Sequence, residues 1–137
     1  MLQLDKARAE DRRKLEALLW ENGMGYADPI EDFMLARQGD DIVGCGRIED
    51  YPDVVMVRPL VVAESFRRRG IGRLLLERIL PAGKPAVIVA RGESVSFYSA
   101  FGFTFADWQT IPIHQAHECT TCPDRAECCP QPMVYSL

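Results

Sequence analysis

The segment RRRGIGRLLLERIL, residues 67–80, sets three consecutive arginines against two glycines and runs directly into an apolar helical pattern. Apolar residues recur at helical spacing: Ile71, Leu74, Leu75 and Ile79. This period predicts a helix that ends before Pro81. A glycine-containing turn at a helix N-terminus directs several backbone N–H groups at one point, where the helix dipole adds positive potential. The segment therefore predicts a phosphate-binding turn.

The spacing of this turn is Arg-x-x-Gly-x-Gly, with Arg67, Gly70 and Gly72 at its defining positions. The glycines allow a ligand close to the backbone, and the arginines supply charge-assisted bonds to phosphate oxygens. The pattern is neither the dinucleotide fingerprint nor the nucleoside-triphosphate loop, because the glycine and Gly-Lys-Ser/Thr positions of those motifs are absent. By charge pattern alone, a solvated basic face on an ordinary helix is the alternative.

The composition predicts one compact domain over residues 1–137, because 47% of the 137 residues are hydrophobic and 26% are charged. A net charge of −4 argues against nucleic acid and anionic membranes as partners. The sequence has no apolar run of about 18 residues, and its N-terminus is too charged for the apolar part of a signal peptide. We therefore expect a cytoplasmic protein.

Strand and helix patterns alternate along the chain, which indicates the α/β class. Residues 2–7 alternate like a strand, residues 9–23 follow with helical spacing, and turn residues around Gly39 predict a hairpin. The β-branched run 54–62 predicts a strand buried on both faces, in which Pro59 marks a bulge or an unpaired edge. Further elements are a strand at 85–90, a short helix at 94–102 and closing strands at 103–108 and 133–137.

The stretch LVVAESFRRRGIGRLLLERIL, followed by FYSAFGF at 97–103, resembles the acetyl-CoA-binding core of the GNAT superfamily of N-acetyltransferases. The resemblance implies a mixed, twisted β-sheet with helices on both faces. It also implies a bulged central strand splayed from its neighbour, with the pantetheine arm in the gap. Acetyl-CoA is then the cosubstrate. Its expected ligands are Leu60, Val61, Val62, Arg67, Arg68, Arg69, Gly70, Ile71, Gly72 and Arg73.

Acetyl transfer needs a neutral amine, a stabilised oxyanion and a proton for the departing thiolate. By resemblance, the backbone N–H of Val62 stabilises the oxyanion and the phenol of Tyr98 donates the proton. A phenol with a pKa of about 10 stays protonated at neutral pH and can donate to a thiolate. The alternative role for Tyr98 is that of a core aromatic beside Phe97 and Phe101.

The segment MVRPLVV, residues 56–62, resembles the E-[VL]-R-[ST]-L-[AV]-V stretch of short bacterial N-acetylglutamate synthases and related amino-acid acetyltransferases. Met56 replaces the glutamate of that pattern and cannot carry a proton. Arg58 matches the arginine and implies a two-pronged clasp on a substrate carboxylate, with Arg91 as a second candidate. The alternatives are that Arg58 extends from a strand end to solvent or pairs with Asp53. The general base is unassigned among Glu49, Asp50, Asp53 and solvent.

Residues 112–132, before the last predicted strand, are rich in Cys, Pro and His. They resemble the DCxxCPxxxxC…AM ending of the same short synthases. Three thiolates and one more ligand satisfy a structural zinc site. The candidate ligands are Cys119, Cys122 and Cys128 with His117 or Cys129. Reduced packing cysteines and a reversible redox pair are the alternatives. Cys45 is expected to be a small buried hydrophobe.

Three functions fit these patterns. The first is an N-acetyltransferase acting on a small carboxylate-bearing amine, such as the amino acid glutamate, by direct attack in a ternary complex. The second acetylates a protein terminus or a xenobiotic amine, for which Arg58 has no carboxylate to hold. The third is a non-catalytic acyl-CoA-binding or metal-sensing module. By family resemblance, the protein is a candidate homodimer.

Overall fold

The computed structural model of the protein describes residues 2–25 and 27–136. Its strands are β1 (Leu2–Lys6), β2 (Met34–Gln38), β3 (Asp41–Asp50), β4 (Val55–Val62), β5 (Ala86–Ala90), β6 (Thr104–Phe105) and β7 (Gln131–Tyr135). Its helices are α1 (Arg12–Glu21), α2 (Ile71–Ile79), α3 (Val95–Phe101), α4 (Ile113–Thr121) and α5 (Arg125–Cys128), with short 3-10 turns between elements.

The strands form a mixed seven-stranded sheet in the order β1-β2-β3-β4-β5-β7-β6. β4 pairs with β5 in parallel, and β1–β2, β2–β3, β5–β7 and β6–β7 pair antiparallel. The expected hairpin is β2–β3. The α/β class and the mixed sheet are confirmed.

One sequence-based boundary was wrong. Of the closing strand expected at 103–108, only Thr104–Phe105 is strand, and a 3-10 turn follows at Trp108–Thr110. Within the Cys-rich residues 112–132, for which the sequence predicted no element, the structure forms α4 and α5. Of the last expected strand, Leu137 lies outside the described residues.

The chain folds as two compact units. Unit 1 comprises the described residues of Met1–Glu49 and Val57–Leu80, and unit 2 comprises those of Asp50–Met56 and Pro81–Leu137. The single domain over residues 1–137 stays a prediction. Among residues 2–25 and 27–136, no helix is long and apolar enough to span a bilayer.

One core cluster of unit 1 lies between the apolar face of α1 and one face of the strands. Leu15, Leu18 and Leu19 of α1 have exposed fractions of 0%, 5% and 1%, as their helical spacing predicts. They share a core with Phe33 and Leu35. A second cluster joins the start of α2 to the strands: Ala36, Val43, Ile71 and Leu75 are buried, with Leu60 and Val62 packed against them.

A partly buried ion cluster connects β1, β2 and the segment before α1 inside unit 1. The guanidinium of Arg37 donates two hydrogen bonds to the carboxylate of Asp11, at 2.7 and 2.6 Å, and one to Asp5 at 2.7 Å. Asp11 also accepts a hydrogen bond from the backbone N–H of Arg8 at 2.8 Å. The hydrogen bonds from Arg37 are the main cause that lowers the pKa of Asp11 from 3.8 to about 2.

Unit 2 is built on β5, which is buried as its β-branched run predicts. Its core contains Met56, Val87 and Ile111, with Tyr51 and Trp108 packed against them. In the parallel pairing of β4 with β5, Val55 lies opposite Ala86 and Met56 lies opposite Val87. The splay of these two strands stays a prediction.

Candidate active site

The predicted phosphate-binding turn leads into α2 as its sequence indicates. Gly70 occupies the N-cap position in the left-handed region, with φ 82° and ψ 6°, which favours glycine. α2 begins at Ile71, so the free N–H groups of its first turn follow Gly70 directly. Arg68 also has a positive φ, 66°, which is uncommon for a residue with a Cβ. The helix ends at Ile79, before Pro81.

The side chain of Arg67 is held by two neighbours within unit 1. Its Nε donates to the carbonyl of Val62 at 3.0 Å, and its Nη2 donates to Oδ1 of Asn22 at 2.7 Å. Asn22, at the end of α1, in turn donates from Nδ2 to the carbonyl of Leu18 at 2.9 Å. Two of the predicted residues, Arg67 and Val62, are therefore bonded to each other, and Arg67 is also bonded to Asn22, which sequence reasoning missed.

The other arginines of the turn are exposed, as a site for a soluble anion requires. Arg68, Arg69 and Arg73 lie on the surface together with Arg67. The guanidinium of Arg69 lies 5.0 Å from the centre of the Phe66 ring, a cation–π distance that orients it. Four positive charges near one helix N-terminus favour a ligand with more than one negative charge.

The end of β4 lies close to β3, and β3 lies close to α2, because Gly44 of β3 has no side chain. A Cβ at Gly44 would lie 3.1 Å from Cδ1 of Leu75 and 3.2 Å from the carbonyl of Val61. Val61 is 4% exposed, whereas Leu60 and Val62 are half-buried. Sequence reasoning missed Gly44, although a glycine within a strand is a recognised sign of close approach.

Arg58, the predicted carboxylate clasp, lies half-buried in β4. Its carbonyl accepts a hydrogen bond at 2.9 Å from Nε of Arg47, on the neighbouring strand β3. The Arg47 side chain also donates to the carbonyl of Asp28 at 2.9 Å, and its guanidinium lies 4.9 Å from the centre of the Phe33 ring. Arg47 therefore holds the backbone of β4 at Arg58 by this hydrogen bond. The second clasp candidate, Arg91, is exposed after β5 and belongs to unit 2.

Tyr98, the predicted proton donor, is 5% exposed on α3. Its ring makes edge-to-face contacts with Phe97 at 5.0 Å and with Phe103 at 5.3 Å. Burial raises the pKa of the phenol above its ordinary value, so the group is protonated at neutral pH. These observations suit both a protonated donor and a packing aromatic, and the catalytic role stays a prediction.

The residues of the predicted zinc site lie on two helices of unit 2. Cys119 and His117 are on α4, Cys122 follows it, and Cys128 ends α5. Within residues 2–25 and 27–136, no three His, Cys, Asp or Glu side chains form a group that could hold a metal ion. The structure therefore gives the zinc prediction no support. Burial is the main cause that raises the pKa of the Cys119 thiol.

Cys45 is fully buried in unit 1, as expected for a small hydrophobe. Burial raises the pKa of its thiol to about 12, so it stays protonated. This confirms the packing interpretation of Cys45.

Unit 2 carries a feature that the sequence did not reveal, beside the position where the synthase pattern has glutamate. Met56 is 3% exposed and packs in the core with Ile111 and Tyr51. The phenol oxygen of Tyr51 lies 3.2 Å from Nε2 of His114, at the start of α4. A cavity of about 430 Å³ opens beside them, lined by residues 51–54 and 109–113. No sequence signal connected Tyr51 with His114, which is 63 residues away.

Comparisons with known proteins agree with this architecture. Residues 29–105, more than half of the chain, match the family model of the acetyltransferase (GNAT) domain. An uncharacterised N-acetyltransferase of Chlorobaculum tepidum is 33% identical over 113 residues, in a match that covers 79% of this chain and 72% of that protein. The protein therefore belongs to the GNAT family of acetyltransferases.

Solved structures share its fold at low sequence identity. N-acetylglutamate synthase of Neisseria gonorrhoeae, complexed with coenzyme A and N-acetyl-glutamate, superposes with a TM-score of 0.77 at 15% identity. The match covers 98% of this chain but 34% of the synthase, so the chain spans about a third of that protein. Naa50 of Arabidopsis thaliana, in complex with a bisubstrate analogue, has a TM-score of 0.72 at 21% identity and covers 99% of both chains.

Proposed function

We propose that the protein is an acetyl-CoA-dependent N-acetyltransferase that transfers acetyl to the amine of a small carboxylate-bearing substrate, such as an amino acid, by direct attack in a ternary complex. The observation that carries the proposal is the turn at 67–73, where exposed arginines precede the free N–H groups of α2. Membership of the GNAT family adds to it.

The coenzyme's pyrophosphate is assigned to the backbone N–H groups after Gly70 and to the side chains of Arg67, Arg68, Arg69 and Arg73. Arg67 has a second role, since its Nε donates to the carbonyl of Val62. The backbone N–H of Val62 is the proposed oxyanion donor. The backbone groups of its neighbours Leu60 and Val61 are assigned to the pantetheine arm. Arg67 thus links phosphate binding to the geometry of the acetyl-binding strand.

The chemical step needs one proton removed from nitrogen and one delivered to sulfur. The amine attacks the thioester carbon and nitrogen releases a proton to solvent. The C–S bond then breaks, and the thiolate takes a proton from the phenol of Tyr98, which regains one from solvent. The raised pKa of Tyr98 keeps that proton in place until negative charge reaches sulfur. Met56 cannot act as the base, because its thioether does not accept a proton at neutral pH and its side chain is packed in the core.

Arg58 supports an acceptor with a carboxylate, because a guanidinium can bind both carboxylate oxygens and fix the amine's orientation. The hydrogen bond from Nε of Arg47 to the carbonyl of Arg58 holds the backbone at this position. Among the structural neighbours, diaminobutyrate acetyltransferase of Paenibacillus lautus is in complex with an amino-acid substrate. Naa50 represents the second candidate class, in which the acceptor is a peptide terminus.

The proposal is tested by following thiol release from acetyl-CoA with the twenty amino acids, polyamines and a short peptide as acceptors. Arg67→Ala should raise the KM for acetyl-CoA about tenfold or more, since a charge-assisted hydrogen bond contributes about 1.5–3 kcal/mol. The control is Arg78→Ala, an exposed arginine in the last turn of the same helix, which should leave that KM unchanged.

Two results would contradict the proposal. One is binding of acetyl-CoA without acetyl transfer to any acceptor, which would favour a non-catalytic coenzyme-binding module. The other is an Arg67→Ala variant that changes acceptor preference but not coenzyme binding, which would remove the phosphate assignment.

A further inference from the structure

Asn22 lies at the C-terminal end of α1, and the helix fixes its conformation. Asn22 is the C-cap residue, and its backbone N–H donates to the carbonyl of Leu19 at 3.0 Å. Its Nδ2 donates to the carbonyl of Leu18 at 2.9 Å. The last carbonyls of a helix have no partner within the helix, so a side-chain donor at this position is favourable. The backbone and the side chain of Asn22 are therefore both anchored to α1.

The bond to Leu18 decides which atom of the Asn22 amide meets Arg67. Because Nδ2 is directed at a carbonyl, Oδ1 occupies the other branch of the amide, where it accepts a hydrogen bond from Nη2 of Arg67 at 2.7 Å. A flipped amide would set Oδ1 against the carbonyl of Leu18 and Nδ2 against a guanidinium, which has no acceptor. One orientation alone satisfies both neighbours, so α1 presents a fixed acceptor to Arg67.

Arg67 connects this acceptor to the end of β4. Its Nε donates to the carbonyl of Val62, the last residue of that strand, at 3.0 Å. The same peptide group contains the N–H of Ala63, which donates to the carbonyl of Val43 on β3 at 2.8 Å. Both polar groups of this peptide are therefore bonded, one to β3 and one to Arg67. A continuous series of contacts runs from α1 through Arg67 to β4, within unit 1.

Arg67 can keep both contacts and still bind an anion. A guanidinium carries more N–H donors than these two bonds use, and the Arg67 side chain is exposed. Asn22 is neutral, so it directs the guanidinium without cancelling its charge, as a carboxylate would. A long arginine side chain loses rotamer freedom when it binds a ligand, and holding it in place beforehand reduces that loss.

We propose that Asn22 is a positioning residue of the coenzyme site. It orients the guanidinium of Arg67 for the coenzyme's pyrophosphate and, through the bond from Arg67 to Val62, keeps the end of β4 in place. The inference rests on the proposed function, which assigns the pyrophosphate to Arg67. It adds a residue of α1, 45 positions from Arg67, that the Arg-x-x-Gly-x-Gly motif does not contain. Coenzyme affinity then depends on Asn22 only while Arg67 is present.

A double-mutant cycle tests this dependence, with the Kd of coenzyme A measured by calorimetry on the full chain. We expect Asn22→Ala to raise the Kd about fivefold and Arg67→Ala to raise it about tenfold or more. In the Arg67→Ala background, Asn22→Ala should change the Kd by less than about twofold, because no guanidinium is left to orient. The matched control is Glu21→Gln, since Glu21 is the exposed last residue of α1 and its replacement keeps Asn22 in place. This control should leave the Kd unchanged.

The cycle separates positioning from helix capping. If Asn22 only capped α1, its loss would raise the Kd by the same factor with and without Arg67. Equal factors in the two backgrounds would therefore overturn the inference, and so would an Asn22→Ala variant that binds coenzyme A like the wild type. Tighter binding by Asn22→Ala would also overturn it, because Asn22 would then compete with the coenzyme for Arg67.

The effect on β4 is tested without coenzyme by amide hydrogen exchange, followed by NMR. The N–H of Ala63 should exchange about fivefold faster in Asn22→Ala, because a less restrained Arg67 holds the Val62 carbonyl less firmly. The reference is the N–H of Ala7, which donates to the carbonyl of Phe33 at 2.9 Å in the same unit and should exchange at its wild-type rate. Unchanged exchange at Ala63, or equal acceleration at both amides, would contradict the role in holding β4.

The two proposals fail in different ways. Coenzyme binding that depends on Arg67 but not on Asn22 would support the phosphate assignment of the proposed function and contradict the inference. Binding that depends on both residues, without acetyl transfer to any acceptor, would support the inference and contradict the proposed function. Equal affinity of the wild type and Arg67→Ala for coenzyme A would contradict both.

Discussion

Replacing Asp11 by Asn should destabilise the protein substantially, because Asp11 is the buried partner of Arg37. The Asp11 side chain receives two hydrogen bonds from that guanidinium and is 7% exposed as a residue. Its pKa is about 2 in the folded protein, against the ordinary value of 3.8. At about 1.4 kcal/mol for each pH unit, this difference corresponds to about 2.5 kcal/mol of stability at neutral pH.

The pH dependence of this effect has a defined sign. Because the folded-state pKa of Asp11 lies below the unfolded value, its contribution is complete above about pH 4. It is lost as the pH falls toward 2 and the carboxylate is protonated. The difference in unfolding free energy between wild type and Asp11→Asn should therefore be about 2–3 kcal/mol at pH 7 and should nearly vanish at pH 2.

Urea unfolding followed by tryptophan fluorescence measures this difference at each pH. The control is Asp50→Asn, whose partner Lys84 lies 2.8 Å away in an exposed pair, with side-chain exposures of 35% and 75%. That variant should lose less than about 1 kcal/mol. A loss below about 0.5 kcal/mol for Asp11→Asn at pH 7, or one that stays constant down to pH 2, would refute the reasoning.

Three further predictions concern the candidate site. Arg58→Ala should raise the KM for an amino-acid acceptor about tenfold while leaving that for acetyl-CoA unchanged; an unchanged acceptor KM in steady-state kinetics would argue against the clasp. Tyr98→Phe should lower kcat about tenfold or more at an unchanged melting temperature, because it removes the hydroxyl that donates the proton and keeps the aromatic ring; full activity would assign Tyr98 to packing. A thiol reagent should modify the exposed Cys122 and spare the buried Cys45, as mapped by mass spectrometry; protection of Cys122 that disappears with a chelator would instead indicate a bound metal.

Local patterns predicted the elements that carry the proposed coenzyme site. The turn at 67–73 and the start of α2 follow from residues adjacent in sequence, because glycine conformation, helix period and helix termination are local properties. The β-branched run 54–62 likewise predicted β4, which runs from Val55 to Val62. The cysteine spacing at 119–128 was less informative, because spacing alone does not fix where the sulfur atoms lie.

The sequence by itself determined the α/β class and the turn that precedes α2, because these depend on periodicity and on one short motif. The family was recognised from the resemblance of two linked segments, residues 60–80 and 97–103, to known sequences. Only the tertiary structure decided that Asn22 holds Arg67 across 45 positions and that Tyr51 meets His114 across 63. It also decided that Met56 is buried in the core of unit 2 and that Asp53 lines a cavity next to that core. These contacts join residues far apart in the chain, and their distances are set by how strands and helices pack rather than by any local preference.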